Sequence, residues 1–204
     1  LKEVATEYDY TTEKELKRLL RTRHRFTNKG TYGHALIVGG SYGKIGAPLL
    51  SGKATLRSGA GLLTLLLPKC GYQIAQTALP EAMVLTSSQE EELSPTDIPF
   101  SPNAIGIGIG MGTSSSAQGT LASLLRTFPN VPFVIDADAL NLVASSEDLQ
   151  RALPKNAILT PHPKELERLI GKWSDDLDRQ AKAKEFAKKH KVILVLKGAF
   201  TMIT

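Results

Sequence analysis

An α/β domain built on a mostly parallel sheet, with helices covering both faces, is the fold this sequence predicts. Three observations carry that prediction. From residue 34 onward, short runs rich in Val, Ile and Leu alternate with helix-length segments, the pattern of strands buried on both faces. Motifs bearing glycine, aspartate, histidine or lysine follow those runs repeatedly, and open α/β sheets gather their ligands at strand carboxyl ends. A length of 204 residues with 42% hydrophobic content suits one domain with a sizeable core.

Taken in order, Thr11-Thr12-Glu13-Lys14-Glu15-Leu16 carries an N-cap signal and helical charge spacing, which predicts a helix over residues 12–24. A basic stretch with Arg21, Arg23 and Arg25 and a polar turn, Asn28-Lys29-Gly30, follow it. A strand over 34–38 runs into Gly39-Gly40-Ser41, and Gly46-Ala47-Pro48 opens a helix to about residue 58, with proline near the first position, where it is tolerated. Strands are expected over 62–67 and 82–86, then an acidic, proline-broken surface loop over 89–102. Further strands at 104–109, 133–135, 157–160 and 192–196 are separated by helices at 116–126, 139–144, 163–170 and 175–190. Residues 1–28 read as an N-terminal helical leader or linker and 29–204 as the domain, with no internal repeat.

No run of eighteen apolar residues is present, so no membrane-spanning helix is expected. The single Cys70 rules out an internal disulfide framework and fits a reducing compartment, hence a cytoplasmic location. A net charge of +5 suits a phosphate-bearing ligand. Nucleic acid is not expected as a partner: aromatic content is 6%, without the basic–aromatic interleaving that stacks bases.

The segment Lys197-Gly198-Ala199-Phe200-Thr201 leaves the end of an apolar strand. Its glycine lets backbone approach a ligand, its lysine offers charge and its threonine a hydroxyl for a phosphate oxygen. A snorkelling lysine before an ordinary turn is the plainer alternative. Gly39-Gly40-Ser41-Tyr42-Gly43-Lys44-Ile45-Gly46-Ala47 fails the phosphate-binding Walker spacing, with Ile45 where Ser or Thr must stand, and lacks the dinucleotide spacing as well. A glycine-rich turn aimed at a ligand remains. The alternating glycines from Gly106 to Gly112 signal close approach to the backbone, either by a ligand or by a crossing segment. Asp136-Ala137-Asp138-Ala139-Leu140-Asn141 places two carboxylates at a strand end, where they could bind magnesium through water or polarise a hydroxyl. One of the two could simply cap the following helix, a role that suits Asp138. In Thr160-Pro161-His162-Pro163-Lys164-Glu165, prolines fix the backbone around His162, which either binds a ligand or caps the turn. The remaining histidines show no ligand spacing with it, so no metal ligands are assigned.

Taken together and in this order, these motifs resemble the ADP-dependent NAD(P)H-hydrate dehydratases, which have a ribokinase-like fold. The resemblance rests on Lys29-Gly30 with Gly33-His34, on Gly39-Gly40-Ser41 with Gly46-Ala47, and on Arg57-Ser58-Gly59-Ala60-Gly61-Leu62. It continues through the glycine run to Gly112, the Asp136 and His162 motifs with Glu165, and Lys197-Gly198-Ala199 with Thr201. It spans about residues 25–204. Ile109 stands where the family usually has proline, and no glycine-rich turn ending in Gly-Asp is present, so the family's catalytic aspartate is expected beyond Thr204.

The resemblance implies a ribokinase-like three-layer sandwich and a repair lyase. Phosphoryl transfer from ADP (or ATP) would turn the hydroxyl of hydrated NADH or NADPH into a leaving phosphate, restoring NAD(P)H with release of AMP and phosphate. It places Lys197, Gly198, Ala199, Phe200 and Thr201 on the adenine nucleotide, and Ala47, Gly112 and His162 against the hydrated cofactor. Asp136 and Asn141 are expected to line the same cleft, with magnesium as helper. A fused or separate epimerase domain and a homo-oligomer are expected partners. A ribokinase-like small-molecule kinase and a non-catalytic nucleotide-binding module are the competing readings.

Overall fold

The structure is a computed structural model that describes residues 8–20 and 22–204. The predicted helix over 12–24 is shorter than expected: α1 covers Glu13–Leu19, and position 21 lies outside the described residues. Its start follows the capping logic, with the Thr12 amide donating to Glu15 Oε2 at 2.6 Å. Its early end also has a physical reason. None of its residues is buried, and a helix of seven residues without packing has little to extend it.

The α/β architecture is as predicted. In chain order follow β1 (His34–Val38), α2 (Gly46–Arg57), β2 (Leu62–Leu67), α3 (Tyr72–Ala78), β3 (Met83–Thr86) and β4 (Ala104–Ile107). Then come α4 (Ser115–Thr127), β5 (Phe133–Ile135), α5 (Ala137–Ala144), α6 (Glu147–Arg151), β6 (Ile158–Leu159), α7 (Pro163–Ile170), α8 (Asp176–His190), β7 (Ile193–Leu196) and β8 (Met202–Ile203). Helices α3 and α6 escape sequence reading because each buries a single residue, Ala75 and Leu149, and so shows no stripe. Strand β4 stops at Ile107 instead of 109 because Gly108 turns to φ +123°, outside the β region.

The sheet order is β3-β2-β1-β4-β5-β6-β7-β8, parallel except for the β7–β8 pair. From β1 the chain winds outward to β3, then returns to the other side of β1 and winds outward again from β4. The adjacency of β1 and β4, in register at Ala35–Ala104 through Val38–Ile107, is therefore the switch point of the sheet.

Alternation along each strand divides the core into two. Ile37 of β1 and Leu63, Leu65 and Leu67 of β2 pack with Ala75 and Leu79 under α2 and α3. Leu36 and Val38 of β1, with Leu66, face the larger layer formed by α4, α5, α7 and α8. Gly52 allows α2 to approach closely, since a Cβ there would lie 3.0 Å from both Leu63 and Leu65 side chains. The acidic loop over 89–102 proves to be anchored rather than superficial. Leu93 is fully buried in the larger core, and Phe100 stacks on His34 at 4.0 Å. No helix among the described residues is long and apolar enough to cross a membrane.

Candidate functional site

The loops leaving β1 and β4 are joined at the switch point. The Gly40 amide donates to the Ile109 carbonyl at 2.8 Å, and Ser41 Oγ donates to the Gly110 carbonyl at 2.9 Å. Ile109, in the place of the family's proline, thus supplies a backbone acceptor, which any residue can do. A Cβ on Gly39 would sit 2.4 Å from that same carbonyl oxygen, so glycine is required there by packing. Helix α2 begins beside this turn without a side-chain cap, which leaves its first amides open to a ligand. Ala47, in the first turn, flanks the glycine run: a Cβ placed on Gly110 would lie 3.7 Å from Ala47 Cβ.

The alternating glycines have two different explanations. A Cβ on Gly108 would fall 1.9 Å from the Asp136 carbonyl oxygen, and one on Gly106 2.8 Å from Ile37. Gly108 is thus a crossing glycine, whereas Gly106 meets only the side-chain tip of its β1 strand partner. Gly112, at φ +77°, faces no atom within 4 Å and opens onto the sheet edge.

The two carboxylates of the Asp136 motif exchange the roles the sequence suggests. Asp136 is the N-cap of α5, its Oδ1 accepting the Ala137 amide at 2.8 Å. Asp138, expected to cap, instead accepts the Gly112 amide on Oδ2 at 2.9 Å and so holds the open glycine turn. Ala137 is forced to φ +51°, a conformation that costs on the order of 1 kcal/mol for a non-glycine residue and concentrates near functional sites. Asp136 also receives Lys197 Nζ at 3.1 and 3.2 Å, so the β5 and β7 loops meet through this ion pair. Asn141 lies one turn further along α5, where its Oδ1 accepts from Arg168 Nη1 of α7 at 2.6 Å.

His162 caps α7. Its Nδ1 accepts the Lys164 amide at 3.2 Å, which leaves the proton on Nε2, 3.1 Å from Glu165 Oε1. Glu165, only 5% exposed, returns the bond by accepting the His162 amide at 2.9 Å. Both ring nitrogens are therefore engaged within the turn, and what the half-exposed ring offers a ligand is its face and edge. Sequence reasoning left Glu165 unassigned, although its position three residues after His162 is the capping-box signal.

The segment over 197–201 forms the connection from β7 to β8, with Phe200 exposed and Gly198 unstrained. Beside its root lies a small cleft lined by Pro161, Pro163, Leu166, Arg179, Leu196 and Lys197, which brings the His162 turn against the Lys197 loop. Arg179 escaped sequence reading, since nothing in the α8 pattern marks it. A larger cavity of about 400 Å³ lies at the opposite edge of the sheet, between Tyr32, His34, Thr55, Ser58 and Asn103, where the Gly33-His34 motif meets the motif over residues 57–62 and none of the predicted site residues lies. Among the described residues no three His, Cys, Asp or Glu side chains converge as a metal cage. Cys70 is not activated: burial first, then Glu90 and Glu91, push its thiol above the usual value.

The family model described as NAD(P)H-hydrate dehydratase matches residues 35–204. A bifunctional NAD(P)H-hydrate repair enzyme of Coxiella burnetii is 37% identical over 187 residues, covering 91% of this chain and 37% of that protein. An ADP-dependent (S)-NAD(P)H-hydrate dehydratase of Neisseria meningitidis is 35% identical over 196 residues, covering 91% of this chain and 62% of its own length. The chain thus spans between about a third and two thirds of these relatives. Among solved structures, the ADP/ATP-dependent NAD(P)H-hydrate dehydratase of Bacillus subtilis, co-crystallised with ATP and Mg2+, superposes with a TM-score of 0.79 at 31% identity, covering 98% of this chain and 70% of that one. A ribokinase-like protein of Enterococcus faecalis gives the same TM-score at 24% identity, a likeness of fold. With its family model matched from β1 through β8, the chain belongs to the NAD(P)H-hydrate dehydratase family.

Proposed function

We propose that the carboxyl edge of the sheet binds an adenine nucleotide on Lys197, Gly198, Ala199, Phe200 and Thr201, and a hydrated nicotinamide cofactor against Ala47, Gly112 and His162. The reaction is nucleotide-dependent dehydration of hydrated NADH or NADPH. One observation carries this reading: the loops after β1, β4, β5 and β7 are stitched into one continuous edge by the Ser41–Gly110, Gly112–Asp138 and Asp136–Lys197 contacts. The names of the relatives, ADP-dependent dehydratase and ADP/ATP-dependent dehydratase, supply the substrate class.

The hydroxyl oxygen of the hydrate attacks the terminal phosphorus of ADP, the bond to the bridging oxygen breaks, and AMP leaves. The hydroxyl proton is given up to water in that step. The C–O bond of the new phosphate ester then breaks, phosphate leaves with the electron pair, and the neighbouring ring carbon loses a proton to restore the double bond. Hydroxide is a poor leaving group and phosphate a good one, so the nucleotide makes the elimination possible. Lys197 faces the charge that develops on phosphate, while the Asp138–Gly112 contact holds the wall against which the ring is oriented. Magnesium in such sites is held by one or two carboxylates together with phosphates. Asp136, partly exposed beside Lys197, fits that role, and the ion when bound would neutralise phosphate charge. An epimerase domain, fused or separate, is the companion of this reading, in keeping with relatives named bifunctional. A cytoplasmic homo-oligomer is its expected setting.

The test is incubation of the full-length protein with hydrated cofactor, ADP and magnesium. Near-ultraviolet absorbance of reduced nicotinamide should appear in step with free phosphate. A stable phosphorylated product would instead identify a small-molecule kinase, and nucleotide binding without turnover a binding module.

A further inference from the structure

Arg179 sits in the first turns of α8, at the carboxyl edge, because α8 must end where β7 begins at the opposite edge. Its Nε is the one buried side-chain nitrogen or oxygen among the described residues that has no hydrogen-bond partner. Buried donors are almost always satisfied, so an empty one stands out. Its other polar contact is long, Nη2 to Asp176 Oδ1 at 3.4 Å, and the Asp176 side chain is 79% exposed. The cleft beside Arg179 is lined by Pro161, Pro163, Leu166, Leu196 and Lys197, none of which has an acceptor on its side chain. Two cations thus flank one cleft, and one of them has an unfilled donor. The Arg179 side chain as a whole is 31% exposed, so its guanidinium is within reach of a ligand at the cleft mouth, and none of the described residues offers its Nε an acceptor.

We propose that Arg179 and Lys197 form a phosphate subsite for the bound adenine nucleotide, an inference that rests on the nucleotide reading above. The room in the cleft is about 10 Å³, enough for a single water-sized group. One phosphate oxygen therefore enters and the rest of the group lies at the mouth, between the His162 turn and the Lys197 loop. A guanidinium suits this task better than an ammonium, since its planar fork presents several donors to one phosphate. Lys197, already shared with Asp136, keeps its place by trading part of that contact for phosphate.

The experiment is calorimetric titration of the protein and of Arg179→Gln and Arg179→Lys with ADP, adenosine and inorganic phosphate, alongside thermal melting. The Gln variant should bind ADP about ten-fold or more weakly while binding adenosine unchanged. The Lys variant should fall between, and it carries the comparison if Arg179→Gln does not fold. Equal ADP affinity in protein and variants would overturn the subsite, leaving the empty donor to water. Equal loss of adenosine and ADP would overturn it too, making Arg179 a structural residue. Loss confined to inorganic phosphate would assign the cations to free phosphate and overturn the nucleotide claim. Failure of the unmodified protein to bind ADP would overturn the nucleotide reading itself.

Discussion

The glycine run offers the sharpest test of the site geometry, because the structure gives Gly108 and Gly112 opposite reasons for being glycine. In Gly108→Ala the new Cβ would lie 1.9 Å from the Asp136 carbonyl and 2.7 Å from Ala139 Cβ, at a backbone φ of +123°. Non-bonded heavy atoms favour separations near 3.5 Å, so relief needs a movement of roughly 1 Å or more. That movement falls on the residue that caps α5 and holds Lys197. Backbone strain of about 1–2 kcal/mol and overpacking of about 1–3 kcal/mol together predict a loss of roughly 2–5 kcal/mol. For a chain of this length that is a fall in melting temperature of about 4–20 °C. Gly112→Ala has the φ penalty at +77° but no clash within 4 Å, so it should lose about 1 kcal/mol, or about 2–4 °C. Its methyl group enters the open edge, so it should nonetheless impair hydrate binding. Calorimetric melting and hydrate titration of both variants decide the matter. If Gly112→Ala melts as low as Gly108→Ala, or binds hydrate as the parent does, the division between crossing and open glycines is wrong.

His162→Ala should weaken hydrate binding and also cost about 1 kcal/mol of stability through the lost cap, whereas His162→Asn should recover the cap but not the binding; titration and melting separate the two. Gly198→Val should leave melting nearly unchanged, since a Cβ there meets only the Phe200 carbonyl at 3.4 Å, yet it should weaken ADP in calorimetry by blocking backbone approach. Asp136→Asn keeps a good cap and loses an ion pair whose side chains are 32% and 47% exposed, so stability should change by less than about 1 kcal/mol in denaturant titration, whereas Asp136→Ala should lose about 1 kcal/mol more. Burial beside Phe100 and Thr64 lowers the pKa of His34 below its usual 6.5, so the unfolded chain binds the extra proton first. Stability should therefore be fully present above about pH 6.5 and decline as pH falls below it, a component that His34→Gln abolishes in melts across that range.

The strands and their order along the chain were legible in the sequence because buried parallel strands are uninterrupted apolar runs, as in Leu62–Leu67 and Phe133–Ile135. So was the clustering of ligand motifs, since each follows a strand and strands in one parallel sheet end at one edge. The two-residue β8, the short α3 and α6 and the early end of α1 were not, because their limits depend on packing rather than on local pattern. Tertiary structure alone decided which strand ends become neighbours. The β1–β4 pairing brings Gly40 to Ile109 across 69 positions of sequence, and no local propensity specifies that partner. It also decided which aspartate caps: Gly108, pressed against the Asp136 carbonyl, sets the turn so that Asp136 meets the helix amide and Asp138 the Gly112 amide. A capping preference belongs to residue type, but its realisation belongs to the position of neighbouring backbone, and only the assembled sheet supplies that.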